Sequence, residues 1–466
     1  MLDTTRVQPP REEGPTISDE SDADSMSEEW APALRTPAGE LERETLSRRE
    51  NAVEGLAFIT LILVALWGVG YYLGVLRAFD PANTVTNVLL VGGGLYLLLI
   101  APFLHRDTSR SWGLGSPRTV LRLLEAGPRW RRGLFAAVLV VLFAGLNCVL
   151  YLYWPEVMRF LELDDTLLGK VHRAYPGRFV VFAIGGVLSA GIVLGAVRYD
   201  NFLVAFPMVL QIALPFLLLL AVVAWHARGP AAFSAIHVRP WLLGIFGYGA
   251  CAFAQQLIFS GYLGTRFRKA FAPAPSPAYP PRAGRALLTS VLVGANIALG
   301  VYIFALIGLR LRHGVDAVPL RMPLSLALAV LPFALVYGWF YARARRRLLV
   351  ATLTASCFAS LHLGSMLLVG VVWLFMIPAA YIFMEDRRRN LAALSVAFGL
   401  LHSTCVMLFP DGMAGPISLD LAAGPYNIEY PTRTVLVAPV LCIAAYAGLL
   451  AVCSRTLSAA EPAEHV

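Results

Sequence analysis

Polar side chains that interrupt long apolar runs are the residues of this sequence most able to do chemistry. Gln255 and Gln256 are adjacent in one run, and Asn296, His362 and His402 lie in three later runs. An amide can donate and accept hydrogen bonds, and an imidazole can also accept a proton. Taken singly, each side chain is explained by a structural hydrogen bond between helices. Taken together, they point to a site, because polar groups inside a membrane are costly and often functional.

The depth of these side chains predicts that they meet. Measured from the basic residues that end each run, Gln256, Asn296, His362 and His402 lie about 15 to 22 Å deep at 1.5 Å per helical residue. Two imidazoles and two amides at a similar depth predict one polar cavity inside a helix bundle.

The composition restricts the class of protein to which this site can belong. The chain has 466 residues, of which 58% are hydrophobic and 15% charged, and its mean hydropathy is +0.65. Soluble domains carry about 25% charged residues. The values exclude a soluble enzyme, a disordered protein and a small disulfide scaffold, and they indicate a polytopic membrane protein.

Charge and cysteine usage give no sign of nucleic acid, metal or cofactor. The net charge of +8 divides into −7 for residues 1–50 and +15 for the remainder. The basic residues mostly border apolar runs, where a membrane explains them, so we expect no nucleic-acid partner. All six cysteines lie inside apolar runs without metal-ligand spacing, which predicts small buried side chains and no metal or cofactor.

The fold class that follows is an all-α transmembrane bundle of about twelve membrane segments. A span needs about 20 mainly apolar residues. The 37-residue run 348–384 is too long for one span and is predicted to break at His362–Ser365. The other predicted spans are 53–76, 85–104, 134–154, 178–197, 202–225, 241–263, 286–309, 323–342, 391–409 and 434–453.

Loop charges predict the orientation of the bundle. Arginine clusters precede the first span and follow the second, sixth, eighth and tenth. The opposite loops instead carry acidic residues: Glu156, Glu162, Asp164 and Asp165, and later Asp411, Asp420 and Glu429. The positive-inside rule then puts both termini in the cytoplasm and makes the chain a multi-pass protein of the plasma (inner) membrane. The loop with Arg310, Arg312 and Arg321 is the main exception.

One segment around the glutamine pair is similar to a family motif. The stretch from Ala254 to Leu263 reads AQQLIFSGYL. It resembles the first motif of the CPBP intramembrane proteases, which include the type II CAAX prenyl endopeptidases: Glu-Glu-x-x-x-Arg followed by Gly-Tyr-Leu. Gln255 and Gln256 stand at the two Glu positions, and Ser260 stands at the Arg position.

Two further motifs extend the resemblance over roughly residues 240–410. Phe358 and His362 fit the family's second motif, Phe-x-x-x-His. The third, His-x-x-x-Asn, aligns with Phe398 and His402, or with His402 and Val406 when anchored on the histidine. This registration accounts for both membrane histidines, and we prefer it although it places two extra spans between the first and second motifs.

A second registration remains open. It places Val293 and Ile297 at the second motif and Thr354 and Phe358 at the third. Every catalytic position of the second and third motifs is then lost, and Asn296 becomes the expected neighbour of Gln256.

The resemblance divides the chain into four parts. Residues 1–50 form an acidic cytoplasmic tail, predicted to be disordered because it buries too little apolar surface. Residues 51–239 are predicted to form a five-span bundle, and residues 240–410 the CPBP-like domain. Residues 411–466 are predicted to contain an outer loop, a last helix and a short tail.

The resemblance implies glutamate-driven hydrolysis, but the required base is missing. A Gln amide has no useful basicity, so we expect a non-catalytic or strongly altered relative with motif positions Gln255, Gln256, His362 and His402. Its partners would be the lipid bilayer and a membrane-embedded or lipidated peptide. Two alternatives stay open: a transporter or transport accessory with a polar intramembrane site, and an active endopeptidase that uses altered chemistry.

Overall fold

The computed structural model describes eleven stretches of the chain. They are residues 46–75, 82–105, 107–126, 128–160, 167–173, 175–234, 236–272, 283–313, 321–364, 366–409 and 433–457. Most of the predicted acidic tail, the predicted outer loop up to residue 432, and residues 273–282, between the sixth and seventh predicted spans, lie outside these residues.

The described residues are built from helices and contain no strand. Eleven long helices carry the architecture and are numbered in chain order. They are α1 Arg48–Leu63, α2 Ala82–Leu95, α3 Arg129–Leu152, α4 Tyr175–Gly191, α5 Phe202–Arg228, α6 Val238–Gln256, α7 Ala283–His313, α8 Arg321–Ala359, α9 Met366–Phe383, α10 Leu391–Leu408 and α11 Arg433–Thr456.

The helices have the length and surface of membrane segments. Within the described stretches, nine are long and apolar enough to cross a bilayer. Large apolar side chains also face outward: Leu203 is 84% exposed, Val187 74% and Phe246 71%. Such surfaces suit lipid rather than water. The prediction of an all-α, multi-pass membrane protein is confirmed, whereas twelve spans and cytoplasmic termini stay predictions.

The long run 348–384 breaks where the sequence predicted. Helix α8 ends at Ala359 and passes into a 3₁₀ turn, Ser360–His362, before α9 begins at Met366. The predicted separation of the spans 323–342 and 348–361 is also found, because Ala344, with φ −142° and ψ 46°, is non-helical and divides α8 into two helices. The Tyr337 and Thr352 hydroxyls, on either side of this break, lie 2.9 Å apart although the two residues are 15 positions apart in the chain. A continuous helix would hold such residues about 22 Å apart, so the two parts of α8 fold back on one another.

Helix α1 begins earlier than the predicted boundary at residue 50. Ser47 and Glu50 form a capping box: the Ser47 side chain accepts from the Glu50 N–H at 3.2 Å, and the Glu50 carboxylate accepts from the Ser47 N–H at 2.7 Å. This reciprocal pair satisfies two backbone donors that a helix start leaves open. Residues 48–50 therefore belong to the first turn of α1.

Asn390 fixes the start of α10, which carries His402. Its side-chain oxygen accepts from the Ala393 N–H at 3.0 Å. Its amide donates to the Arg198 carbonyl at 2.6 Å and to the Asn201 side chain at 2.9 Å. The N-terminus of α10 is thus tied to the segment between α4 and α5.

An ionic cluster surrounds the turn before α10. Asp386 lies 2.7 Å from Arg110, 3.6 Å from Arg389 and 3.9 Å from Arg198. Burial alone would raise the pKa of Asp386, but the hydrogen bond from Arg110 and the three guanidinium charges outweigh it and lower the pKa below its ordinary value.

Close backbone contact joins the helices that carry the motif residues. A side chain at Gly399 of α10 would overlap the Ile245 carbonyl and lie 2.8 Å from the Gly249 nitrogen of α6. Helix α7 approaches α8 in the same way, since a Cβ at Gly338 would lie 2.8 Å from the Ser290 Cα.

Candidate functional site

The residues after the glutamine pair are wound as a π-helix. Leu257–Leu263 adopts this wider turn between α6 and a final helical segment, Gly264–Phe271. Short π-helical segments are uncommon and frequently mark functional sites. Ser260 and Tyr262 lie inside it and are buried. The segment that resembles the first family motif is therefore also an irregular part of its helix.

Gln256 is fully buried, and only one of its two polar side-chain atoms has a hydrogen-bond partner in the described part of the chain. It is 0% exposed, and its side-chain oxygen accepts a hydrogen bond of 2.6 Å from the Ser260 hydroxyl. Its side-chain nitrogen has no hydrogen-bond partner among the residues that the structure describes. Gln255, the first residue of the pair, is partly exposed. Gln256 thus offers amide donors inside the protein.

His362 packs close to the π-helical segment. It is buried at the end of the 3₁₀ turn, with its ring 5.4 Å from that of Phe358, centroid to centroid. Phe358 in turn lies 5.2 Å from Phe259. The Trp67 indole, in the π-helical segment Val64–Val75 that follows α1, donates to the Ser360 carbonyl at 3.2 Å. The predicted second motif therefore contacts the predicted first motif through two aromatic rings.

His402 has a different neighbour. Its ring stacks on Tyr248 of α6, with centroids 3.7 Å apart and planes 22° apart. Tyr248 precedes Gln256 by eight residues, which is about 12 Å along a helix. One turn away on α10, the Phe398 ring lies 5.9 Å from that of Phe358. Phe398, rather than His402, is thus the third-motif residue next to Phe358.

Asn296 does not pair with Gln256. Its side chain is exposed, and its amide donates to the Leu292 carbonyl of its own helix at 2.7 Å. Its helix, α7, packs mainly on α8. The neighbour that the second registration expects for Gln256 therefore makes no hydrogen bond with it.

A partly buried carboxylate that the sequence analysis did not single out lies beside the first motif. Glu54 of α1 is 2.6 Å from the His105 Nε2 atom and accepts from the Tyr96 hydroxyl at 2.8 Å. It also accepts from the hydroxyl of Tyr262, the tyrosine of the Gly-Tyr-Leu ending. No local spacing in the sequence links residue 54 to residue 262.

A second buried cluster lies next to Glu54. The Asp107 side chain, 1% exposed, forms ion pairs with Arg266 and Lys269. It also accepts from the Trp112 indole at 3.1 Å, while Arg266 donates to Asn51 at 2.7 Å. Arg266 and Lys269 belong to the basic cluster that follows the sixth predicted span. In the structure both lie in the helical segment Gly264–Phe271 and form ion pairs with Asp107.

Within the described stretches, no three His, Cys, Asp or Glu side chains are grouped as a metal would require. The prediction that the protein uses no metal or cofactor stays a prediction.

Comparisons with known proteins do not place the chain in a family. No family model matches it, and neither a curated protein nor a solved structure matches it significantly. The resemblance to the CPBP proteases rests on the motif residues alone.

Proposed function

We propose that this chain is a divergent relative of the CPBP intramembrane endopeptidases that binds a membrane-embedded or lipidated peptide without cutting it. The observation that carries the proposal is Gln256: a fully buried amide stands where the family has a glutamate, and its nitrogen lacks a protein partner. The proposal includes the twelve-span topology with cytoplasmic termini.

The side chain at position 256 can bind but cannot act as a base. Hydrolysis of the family type needs a carboxylate that takes a proton from water. The Gln256 oxygen instead accepts from Ser260, and an amide has no useful basicity. Burying its N–H groups without any hydrogen-bond acceptor would cost about 1–3 kcal/mol of stability. A backbone carbonyl of a bound peptide is a suitable acceptor for them.

Replacing Gln256 with alanine should reduce peptide capture severalfold, because the variant lacks the amide that donates to the peptide. Neither the variant nor the unmodified protein should cleave the peptide, since position 256 carries no base in either. The assay would use protein in nanodiscs, a lipidated peptide with a photo-crosslinker, and mass spectrometry to search for fragments. Asn296→Ala is the matched control, since it removes an exposed amide from a neighbouring helix. Equal capture by the two variants, or fragments made by the unmodified protein, would contradict the proposal.

The alternative of an active endopeptidase is favoured by one contact. The Glu54 carboxylate beside His105, at 2.6 Å, is an arrangement in which a general base could operate. Its connection to the first motif runs through Tyr262. In this second candidate function, Glu54 replaces the missing motif glutamate.

Substituting Glu54→Gln separates the two candidates. We expect the variant to capture the peptide as well as the unmodified protein, because Glu54 holds helices together and Gln can still accept from the tyrosines. The active-enzyme alternative instead requires cleavage by the unmodified protein and a loss of at least about 100-fold in the variant, as for removal of a general base. Fragment yield per hour in the same nanodisc assay decides between them.

A further inference from the structure

A small cavity is bordered by Ser260, which stands at the Arg position of the first motif. It is enclosed by the segment 260–268, by Thr354 of α8 and by the end of α9, with room for about one water molecule. Its polar wall consists of Ser260, Thr265, Arg268, Thr354 and Arg389. None of the four predicted motif residues lines this cavity.

Three of the five polar side chains are already engaged. Ser260 donates to Gln256 at 2.6 Å, and Thr265 donates to the Ser111 carbonyl at 2.9 Å. Arg389 donates to the carbonyls of Phe383 at 3.1 Å and Met384 at 2.8 Å. The two remaining polar side chains that line the cavity, Arg268 and Thr354, have atoms without a hydrogen-bond partner in the described part of the chain.

Thr354 has an unused hydroxyl. It is 1% exposed, and its oxygen has no hydrogen-bond partner among the described residues. The neighbouring hydroxyls on the same helix behave differently: Thr352 donates to the Leu348 carbonyl at 2.8 Å, and Ser356 donates to that of Thr352 at 2.8 Å. A threonine in a helix normally can make this bond. Its absence at Thr354 leaves the hydroxyl available to a ligand.

Arg268 supplies a guanidinium without a carboxylate partner. The residue is half-buried, and its Nη2 atom is buried without a hydrogen-bond partner in the described part of the chain. The acids Asp107 and Asp386 are paired with other basic residues, Asp107 with Arg266 and Lys269 and Asp386 with Arg110. A half-buried guanidinium that borders a cavity and has no carboxylate favours an anion.

We infer that this cavity binds a carboxylate, with one oxygen accepting from Arg268 and the other from Thr354. A carboxylate edge suits a space about one water wide, whereas tetrahedral phosphate needs more room. A lone water would satisfy the hydroxyl but would leave the Arg268 charge without a counter-ion. The carboxylate can come from a small organic acid or from the C-terminus of a peptide. The inference does not require the proposed peptide-binding function, because acetate alone tests it.

The first test measures thermal unfolding of the detergent-solubilised protein in sodium acetate, phosphate or chloride at equal ionic strength. Acetate is expected to raise the melting temperature more than the other two salts, and Arg268→Gln and Thr354→Val are expected to abolish that difference. Thr352→Val and Arg346→Gln are the matched controls, since the first hydroxyl is already bonded and Arg346 is exposed. These two variants should keep the acetate effect.

The second test identifies the source of the carboxylate. A fluorescent peptide with a free C-terminus should bind about tenfold more tightly than the same peptide with an amidated C-terminus, as for one charged hydrogen-bonded contact. Arg268→Gln should reduce that ratio to about one. Equal binding of both peptides, with the acetate effect intact, assigns the site to small acids. No greater stabilisation by acetate than by chloride, or a greater effect of phosphate, overturns the inference.

Discussion

Gly399→Ala should destabilise the protein by at least about 2 kcal/mol, as expected when a well-packed contact is overfilled. The new Cβ would overlap the Ile245 carbonyl and approach the Gly249 nitrogen to 2.8 Å. Both obstacles are backbone atoms, so no rotamer change relieves them, and α6 must move away from α10. The measurement is the midpoint of thermal unfolding, together with the monodisperse fraction after detergent extraction.

Gly247→Ala is the control for that substitution. Gly247 lies on α6, close to the same interface, but a Cβ there meets nothing within 4 Å. This variant should be as stable as the unmodified protein or slightly more stable, because alanine favours a helix. If the two variants unfold at the same temperature, the close approach of α6 and α10 is not a source of stability.

The second large effect is expected for Asp107→Asn. Removing the carboxylate charge breaks the ion pairs of Asp107 with Arg266 and Lys269, whose side chains are 1% and 4% exposed. Breaking a buried pair in this way costs about 3–5 kcal/mol. The free energy of unfolding in a denaturant series, or the yield of folded protein when stability is too low, measures the loss.

An exposed ion pair provides the comparison. Glu385 and Arg388 are 2.7 Å apart, but their side chains are 37% and 35% exposed. Glu385→Gln should therefore change the free energy of unfolding by no more than about 1 kcal/mol. A loss in Asp107→Asn as small as this would mean that the buried cluster is hydrated and contributes little.

The helices of this protein were predictable because length and apolarity determine them. Each of the predicted spans is covered by a helix, and the break before α9 falls at the His362–Ser365 segment. The separation of the spans 323–342 and 348–361 was predicted from the arginines between them, and α8 is divided there at Ala344.

The candidate site was predictable only where its contacts are local in the sequence. Gln256 and Ser260 are four residues apart, a spacing that brings side chains together on a helix. The neighbourhood of His362 depends on how Phe358 packs between helices, and the stacking of His402 on Tyr248 depends on the close contact of α6 and α10. A single sequence carries no signal for such pairings.

The separation of Glu54 from Tyr262 has a consequence for biogenesis. The two residues are 208 positions apart, so at a synthesis rate of about 5–20 residues per second the tyrosine emerges some 10 to 40 s after the glutamate. Tyr96 follows Glu54 by only 42 positions, and His105 soon after. The second hydrophobic segment can therefore shield the acid at the translocon, and the cluster is completed only when the π-helical segment Leu257–Leu263 has been synthesised.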